Sequence, residues 1–172
     1  MVYTTAKQDY HTKALSETAF ALTATDYKDP PTITIGGGTD NNMKTVVRRL
    51  TPDECALLQG YPKDWCNIGD WTDSKGKVHK DSDSAKYKAY GNSICLPFWF
   101  YLLRRISATY DRPATLGSLF DGISGFPLAW ARCNGSKTCL WSSEIEEFPI
   151  AVCKKHFGDD DKEEVGDIEN YI

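Results

Sequence analysis

The stretch TLGSLFDGISGFPLAW, residues 115–130, predicts a buried strand, a turn that contains two glycines, and a helix. Gly122 and Gly125 follow the strand directly, and glycine lets the backbone approach a ligand closely and take a positive φ. In an open α/β sheet, ligands bind beyond the carboxyl ends of the strands. The turn is therefore a candidate cofactor loop. Such a loop usually opens a nucleotide-binding domain, yet only 42 residues follow Trp130.

The residues after the turn continue the alternation of strand and helix patterns. This alternation predicts a parallel sheet with crossover helices, so the expected fold class is α/β. The expected elements are a strand at residues 115–120, a helix near residues 126–132, a strand at residues 138–143, a helix near residues 146–156 and a last short strand near residues 165–168.

An acidic residue stands where a cofactor ribose would lie. Glu144 follows the second of these strands, 22 residues after Gly122. An acid about 20 residues beyond a glycine turn is placed to bond ribose hydroxyls, and Ile145 beside it is placed to pack on an adenine face. The full G-x-G-x-x-G pattern is absent, so the spacing does not separate a dinucleotide from another adenosine-bearing cofactor. A tight structural turn beside a surface glutamate is the alternative.

A well-punctuated helix is predicted upstream, in RRLTPDECALLQGYP, residues 48–62. Thr51 is the expected N-cap, Pro52 suits the first helical position, and Glu54 completes a capping box. Gly60 ends the helix. These signals alone are also typical of a purely structural helix.

A second upstream helix is predicted in YGNSICLPFWFYLLRRIS, residues 90–107, where a turn at the glycine precedes a helix capped by Asn92 or Ser93. The hydrophilic residues 63–86 between the two helices predict a long loop. Residues 1–45 are polar and turn-rich, and they predict one short strand in TITI and no helix.

Composition bounds the class of protein. The 172 residues are 41% hydrophobic, which favours a packed core over disorder. The longest apolar run has ten residues and contains Pro97, too short to span a bilayer, and no apolar signal core opens the chain. We therefore expect a soluble cytoplasmic protein. The six cysteines form no C-x-x-C pair, so we expect reduced thiols and no metal site.

Charge is distributed unevenly. Residues 1–115 carry 15 Lys and Arg against 13 Asp and Glu, whereas residues 116–172 carry 5 against 11. Only the first part thus supports nucleic-acid binding, and weakly. The acidic run DDDKEE, residues 159–164, predicts a solvated loop.

Several stretches together resemble the DNA cytosine-5 methyltransferases, which bind S-adenosylmethionine on a Rossmann-like sheet. LFDGISGFPLAW and WSSEIEEFPIAVCKKHF resemble the first two motifs of that family, and GDI at residues 166–168 resembles the third. VRRLTPDECALLQGYPKDW resembles the ninth motif and YKAYGNSICLPFWFYLLRRI the tenth. AFALTATDYKDPPTI is similar to the segment that closes the target-recognition domain.

The resemblance implies a set of cofactor-binding residues. The methionine and ribose side would be lined by Phe120, Asp121, Gly122, Ser124 and Gly125, with Asn92 and Ser93 at the methionine end. Glu144 would hold the ribose diol, Ile145 the adenine and Asp167 the adenine amino group. Ser124 stands where the family usually has glycine. If the chain acts on DNA, Arg48 and Arg49 are candidates to contact the DNA backbone, and a structural or solvated role of each arginine is the alternative.

The order of the motifs is permuted relative to that of the family. There, the cofactor loop comes first and the ninth and tenth motifs last, so this chain resembles a circular permutation joined through residues 108–114. The implied fold is a partial Rossmann-like, S-adenosylmethionine-dependent methyltransferase fold with permuted motif order. Its implied domains are a target-recognition remnant at residues 1–45, a helical region at residues 46–110 and a cofactor-binding β-α-β half-domain at residues 111–172.

The family's catalytic nucleophile is missing. Cytosine C5 becomes reactive when a cysteine thiolate of a Pro-Cys motif adds to C6. The chain contains no Pro-Cys pair, no Glu-Asn-Val and no Gln-x-Arg, so we expect it to be inactive alone, with no catalytic residue of its own.

Three alternatives follow from that absence. The chain is one subunit of a split prokaryotic or phage methyltransferase of the restriction-modification type, whose partner brings the cysteine. It is an inactive truncated fragment. Or it is a non-catalytic module that binds the cofactor or DNA. The sequence does not identify the DNA target.

Overall fold

A computed structural model describes residues 2–5, 32–35, 46–112 and 114–170 of the chain. In these residues the elements follow the order β1 (Val2–Thr5), β2 (Thr32–Ile35), β3 (Val46–Arg49), α1 (Pro52–Gln59), β4 (Trp71–Thr72), β5 (Val78–His79), α2 (Asp83–Asn92), α3 (Leu96–Ser107), β6 (Leu116–Leu119), α4 (Gly125–Asn134), β7 (Cys139–Ser143), α5 (Glu147–Asp161), β8 (Glu163–Glu164) and a 3-10 turn (Ile168–Asn170). The chain is thus a mixed α/β protein, as expected. Most of residues 1–45, assigned above to the target-recognition remnant, lie outside the described residues.

The sheet that carries the candidate cofactor loop is parallel, as predicted, with strand order β6-β7-β8. Helices α4 and α5 are its two crossover connections. The predicted position of the last strand, residues 165–168, is wrong. Strand β8 lies at Glu163–Glu164, because Gly166 takes a φ of 67° that ends the extended chain before the 3-10 turn.

Two small antiparallel sheets complete the described strands. Strands β1, β2 and β3 pair in that order, with Thr32 opposite both Thr5 and Arg49. Strands β4 and β5 form a hairpin in which Trp71 faces His79. The strand predicted in TITI is confirmed as β2.

The capping residues predicted for the first upstream helix are confirmed in α1. The Thr51 side chain accepts the N–H of Glu54, and the Glu54 side chain accepts the N–H of Thr51. Gly60 caps the other end in the left-handed conformation at a φ of 82°, and its N–H bonds the carbonyls of Ala56 and Leu57. Local sequence therefore determines this helix completely.

The prediction for the region that follows is wrong in two respects. Residues 63–86 contain the β4–β5 hairpin and the first turn of α2 rather than a continuous loop. Helix α2 runs through Asn92, so this residue belongs to a helix end and Ser93 is its C-cap. Helix α3 begins at Leu96, since Pro97 is tolerated in the first helical turn. Its N-cap is Cys95, whose side chain makes no capping hydrogen bond.

Helix α3 packs beside α4 and runs in the same direction. Near the first turns of the two helices, the ring of Trp99 meets that of Phe126 edge-on at 4.9 Å between centroids. At their last turns, Ser107 Oγ donates to Asn134 Oδ1 at 2.7 Å. One cluster of buried side chains, with Leu96 among its members, extends from α1 and α2 into α4 and α5. The helical region and the parallel sheet thus share a core.

Candidate cofactor-binding site

The glycine turn joins β6 to α4 at the carboxyl edge of the parallel sheet. Three of its residues have left-handed φ values, Phe120 at 52°, Gly122 at 56° and Ser124 at 62°. The N–H of Asp121 donates to the carbonyl of Ser143 at 3.0 Å, which fastens the turn to the end of β7. The sequence thus folds here into a short, sharply bent loop at the position where open α/β sheets bind ligands.

The carboxylate of Glu144, which follows β7, forms a hydrogen bond to the turn that follows β6. Its Oε2 accepts the N–H of Gly122 at 2.6 Å, and its Oε1 accepts the N–H groups of Ile145 at 2.8 Å and Glu146 at 2.9 Å. An ionised carboxylate offers about four lone-pair positions, so one acceptor position remains for a ligand hydroxyl.

A second carboxylate holds this strand end in place. Glu164 on β8 accepts the Ser142 hydroxyl at 2.7 Å and the N–H of Glu144 at 3.1 Å. The hydroxyl of Ser143 reaches the carbonyl of Gly166 at 2.7 Å. The backbone at Glu144 is therefore fixed from the β8 side as well as from the glycine turn.

A cavity of about 500 Å³ opens in front of these groups. Its walls are one face of α2, the glycine turn, the end of β7 and the first turn of α5. The residues that line it are Ala85, Lys88, Ala89, Asn92, Phe120, Gly122, Ile123, Glu144, Ile145, Glu146, Phe148 and Pro149. Ligand cavities of roughly 300–1,000 Å³ hold molecules of cofactor size, so the space fits an adenosine-bearing group.

Half of the residues implied by the resemblance line this cavity. They are Asn92, Phe120, Gly122, Glu144 and Ile145. Two of them present apolar surface to it, since Phe120 is 84% exposed and Ile145 is 70% exposed. An apolar side chain left open in a cavity wall is a surface that a flat base can cover.

The other half lies outside the cavity walls. Asp121 and Ser124 are buried beneath the turn. Gly125 begins α4, where an added Cβ would overlap the Tyr61 hydroxyl, and that hydroxyl also bonds the side chain of Ser93. Asp167 is exposed and accepts the N–H of Glu169 at 3.0 Å. These five residues shape or flank the site, while their contact with a cofactor stays a prediction.

Sequence reasoning missed the α2 wall and the ion pair at its rim. Lys88 Nζ lies 2.7 Å from Glu146 Oε2, and both side chains are partly exposed. The missed signal is the spacing of Ala85, Lys88, Ala89 and Asn92, which is one face of a helix. The loop predicted over residues 63–86 hides this face, because it includes the first turn of α2.

The prediction that the acidic run, residues 159–164, is a solvated loop is wrong, because the run spans the end of α5 and strand β8 and its Lys162 points inward. This lysine is buried, and its Nζ lies 2.7 Å from Asp121 Oδ2, with both side chains fully enclosed. Burial lowers the pKa of Lys162, but the charges and hydrogen bonds of Asp121 and Cys153 together outweigh burial, and the net pKa is raised. A charge pattern alone does not reveal which member of a run turns inward.

The two arginines proposed for DNA contact differ in their surroundings. The Arg48 guanidinium holds both oxygens of Glu54, at 2.5 and 2.7 Å. This hydrogen bonding is the main reason that the pKa of Glu54 falls to about 2. Arg49 is exposed on the same strand end. Arg48 thus braces the capping box, and a phosphate would have to compete with Glu54 for it.

Neither metal ligation nor a membrane span is supported within the described residues. No group of three or more His, Cys, Asp or Glu there is placed to hold a metal ion. No helix in that part of the chain has the length and apolarity of a membrane span. All six cysteines are free, and Cys55, Cys66, Cys139 and Cys153 are buried.

Comparison with known proteins identifies a family for the greater part of the chain. Residues 2–108 match C-5 cytosine-specific DNA methylase. A DNA N-6-adenine-methyltransferase of Escherichia phage P1 is 32% identical over 92 residues, which cover 41% of this chain and 12% of that protein. The matched part is thus a small fraction of that relative. The family match ends before the glycine turn.

Proposed function

Because the chain belongs to the C-5 cytosine-specific DNA methylase family, we propose that it supplies the S-adenosylmethionine site of a DNA cytosine-5 methyltransferase. The observation that carries the proposal is the Glu144 carboxylate, bonded to the Gly122 N–H at 2.6 Å in the wall of a cavity of about 500 Å³. A strand-end acid beside a glycine turn is the arrangement that binds the ribose of adenosine cofactors.

The proposed fold is a partial Rossmann-like methyltransferase fold with permuted motif order. Its support is the parallel β6-β7-β8 order with α4 and α5 as crossovers, together with a family match that ends at residue 108, upstream of the cofactor loop. Helix α3, which resembles the tenth motif, packs directly beside α4. Residues 108–114 join α3 to β6, the strand that leads through the glycine turn into α4. The division at residues 1–45, 46–110 and 111–172 belongs to this proposal.

Each wall of the cavity has a proposed role. Glu144 accepts the ribose hydroxyls and Ile145 covers the adenine. Phe120, Gly122 and Asn92 face the methionine side. Asp121, Ser124, Gly125 and Ser93 act indirectly by holding the turn, and Asp167 is proposed for the adenine amino group from the loop after β8. When bound, S-adenosylmethionine supplies a methyl group on a sulfonium.

The nucleophile is proposed to come from outside these residues. The sequence contains no Pro-Cys pair. Burial raises the pKa of Cys55, Cys66 and Cys139 to about 12, which disfavours the thiolate that attacks a base. We therefore assign the catalytic cysteine to a further segment or a complementary subunit, and the target base would flip into a pocket that both parts form. The partner of the assembly is DNA.

The phage relative and the matched family have only part of their activity in common. Its name assigns methyl transfer to N6 of adenine, whereas the family match concerns C5 of cytosine. Both activities transfer a methyl group to a base in DNA. The donor site is therefore the part of the proposed function that both comparisons favour, and cytosine C5 as the acceptor follows from the family match.

Calorimetric titration with S-adenosylmethionine tests the proposal. We expect saturable binding to the folded chain and a loss of at least about tenfold in affinity for Glu144→Ala, because a hydrogen bond from the ribose to a carboxylate is removed. Glu169→Ala, which removes an exposed acid outside the cavity, is the matched control and should bind like the wild type. A folded wild-type chain that does not bind the cofactor would contradict the proposal.

A further inference from the structure

The buried lysine beneath the glycine turn takes no part in the proposed cofactor contacts. Lys162 Nζ lies 2.7 Å from Asp121 Oδ2 and 3.1 Å from Ser124 Oγ. The ammonium also lies 4.9 Å from the centre of the Phe157 ring. Lys162 thus reaches from the junction of α5 and β8 to the underside of a turn that begins 41 residues earlier.

The side chain and the backbone of Asp121 both make hydrogen bonds to neighbouring elements. Its Oδ1 accepts the Ser118 hydroxyl at 2.5 Å, and its Oδ2 accepts the Ser124 hydroxyl at 2.8 Å as well as the lysine. Its own N–H bonds the carbonyl of Ser143. The carboxylate of Asp121 therefore joins β6, the turn and the start of β8, and the backbone N–H of the same residue joins the turn to the end of β7.

This carboxylate sits in the middle of a strained backbone. Phe120 and Ser124 take left-handed φ values of 52° and 62°, a conformation that costs side-chain-bearing residues free energy. Gly122 lies between them and directs its N–H at Glu144 Oε2. The turn keeps this shape because the buried contacts of Asp121 oppose its relaxation.

We propose that Lys162 is a positioning residue of the cofactor site. By holding Asp121, it sets the turn so that the Gly122 N–H meets the Glu144 carboxylate and leaves that carboxylate oriented toward a ribose. The inference rests on the proposed function, since Lys162 would act on the same cofactor site through Asp121 and without touching the cofactor. A buried ion pair is poor support for stability in itself, and replacing both partners with apolar groups is often neutral. Geometry of the turn, rather than stability, is the property that Lys162 controls.

Two variants separate positioning from stability. Lys162→Met leaves Asp121 buried without its cation and should destabilise the chain. The double variant Asp121→Ala with Lys162→Met removes both charges, so thermal unfolding should return toward the wild type. Lys155→Met is the control, since Lys155 is an exposed lysine on α5 whose Nζ bonds the carbonyl of Asn67, away from the turn.

Two measurements on the full chain give the outcome. Hydrogen exchange of the Gly122 amide, followed by NMR, should quicken by about tenfold or more in both variants, while the amides of α1 stay protected. The dissociation constant of S-adenosylmethionine should rise by about ten- to a hundredfold in both. Lys155→Met should change neither value.

The outcomes separate this inference from the proposed function. If the double variant regains wild-type Gly122 protection and affinity, Lys162 is merely structural and the inference is overturned. If the folded wild type does not bind S-adenosylmethionine, the proposed function fails, and Gly122 exchange alone then decides the positioning role. If Lys162→Met does not fold, Lys162→Gln, which keeps a donor for Asp121 but removes the charge, takes its place, and unchanged Gly122 exchange and affinity in that variant would overturn the inference.

Discussion

The N–H of Gly122 donates to Glu144 Oε2 at 2.6 Å and so joins the ends of two adjacent parallel strands. Glu144 Oε1 is occupied at the same time by the N–H groups of Ile145 and Glu146. The carboxylate is thereby oriented before any ligand arrives, which lowers the ordering cost of binding. Ile145, the next residue, keeps 70% of its surface exposed beside it. A polar anchor and an open apolar surface thus stand side by side.

Replacing Ile145 with alanine should weaken cofactor binding without weakening the fold. The removed side chain is exposed in the free protein, so the free energy of unfolding should change by less than about 0.5 kcal/mol. Losing apolar contact with the adenine should cost about 1 kcal/mol of binding free energy, roughly fivefold in Kd. Calorimetric titration with S-adenosylmethionine and thermal unfolding measure the two effects.

Leu140→Ala is the matched control for Ile145→Ala. Leu140 is an exposed aliphatic residue on β7, the strand that leads to Ile145; it is 53% exposed and does not line the cavity. Its removal should leave the Kd unchanged. Equal losses of affinity in the two variants would contradict the assignment of Ile145 to the adenine.

Much of the fold could be predicted where the signal is local. Helix α1 is fixed by Thr51, Glu54 and Gly60, each of which acts within its own turn of chain. The parallel strands and Glu144 followed from alternating patterns and from spacing. These features depend on neighbours in sequence, so no knowledge of the tertiary structure was needed.

Helix α2 and the burial of Lys162 could not be predicted, because both depend on tertiary contacts. The apolar and polar residues of α2 show little segregation, and its buried residues include Lys86, whose ammonium reaches Asp81 at 2.8 Å. Lys162 is likewise buried only because Asp121, far away in the sequence, receives it. A lysine in an acidic run predicts solvent exposure until its partner is known. The pairing of Lys162 with Asp121 beneath the glycine turn could therefore not be derived from the sequence.

Gly60→Ala should destabilise the chain more than Gly76→Ala. Both glycines have left-handed φ values, 82° and 80°, so each substitution should cost about 1 kcal/mol through backbone strain. An added Cβ at Gly60 would also overlap the Pro97 ring, whereas nothing lies within 4 Å of one at Gly76. The overlap should add about 1–3 kcal/mol.

Urea unfolding of the two glycine variants measures this difference. Because the backbone penalty is matched, the difference between their free energies of unfolding reports the contact of the α1 cap with the start of α3. Equal destabilisation would show that Pro97 moves aside and that the packing at this junction is loose.

Because Arg49 is exposed whereas Arg48 is half-buried, Arg49→Ala should reduce the salt dependence of DNA binding more than Arg48→Ala. If the chain binds DNA through this strand end, each phosphate contact contributes about 0.9 to the slope of log K against log salt concentration. Arg48 is already bonded to both oxygens of Glu54, so its removal should change the slope less. Fluorescence anisotropy of a labelled duplex at several salt concentrations measures the slopes.

Glu54→Gln is the informative companion of the arginine variants. It removes the negative charge that holds Arg48, so the slope should steepen if Arg48 lies near a phosphate. Identical slopes for the wild type and all three variants would exclude both arginines from the DNA interface.

Lowering the pH below about 6.5 should destabilise the chain through His156. Its ring stacks on that of Trp65, with centroids 3.6 Å apart, and its Nε2 donates to the Trp65 carbonyl at 2.7 Å. Partial burial lowers the pKa of His156 from 6.5, and the positive charge of Lys155 lowers it further, although the Trp65 carbonyl opposes both. The folded chain therefore prefers the neutral ring. The stabilisation is complete above the unfolded-state pKa and is lost as the pH falls toward the folded-state pKa.

Urea midpoints between about pH 7.5 and pH 5.5 measure the His156 contribution, since most carboxylates stay ionised over this range. His156→Gln should flatten the dependence, because glutamine cannot take up the proton. His79→Gln, which alters the other described histidine, is the control and should retain the His156 dependence. An unchanged slope in His156→Gln would show that protonation of this ring does not disturb the stack, and the contact between Trp65 and α5 would then be independent of pH.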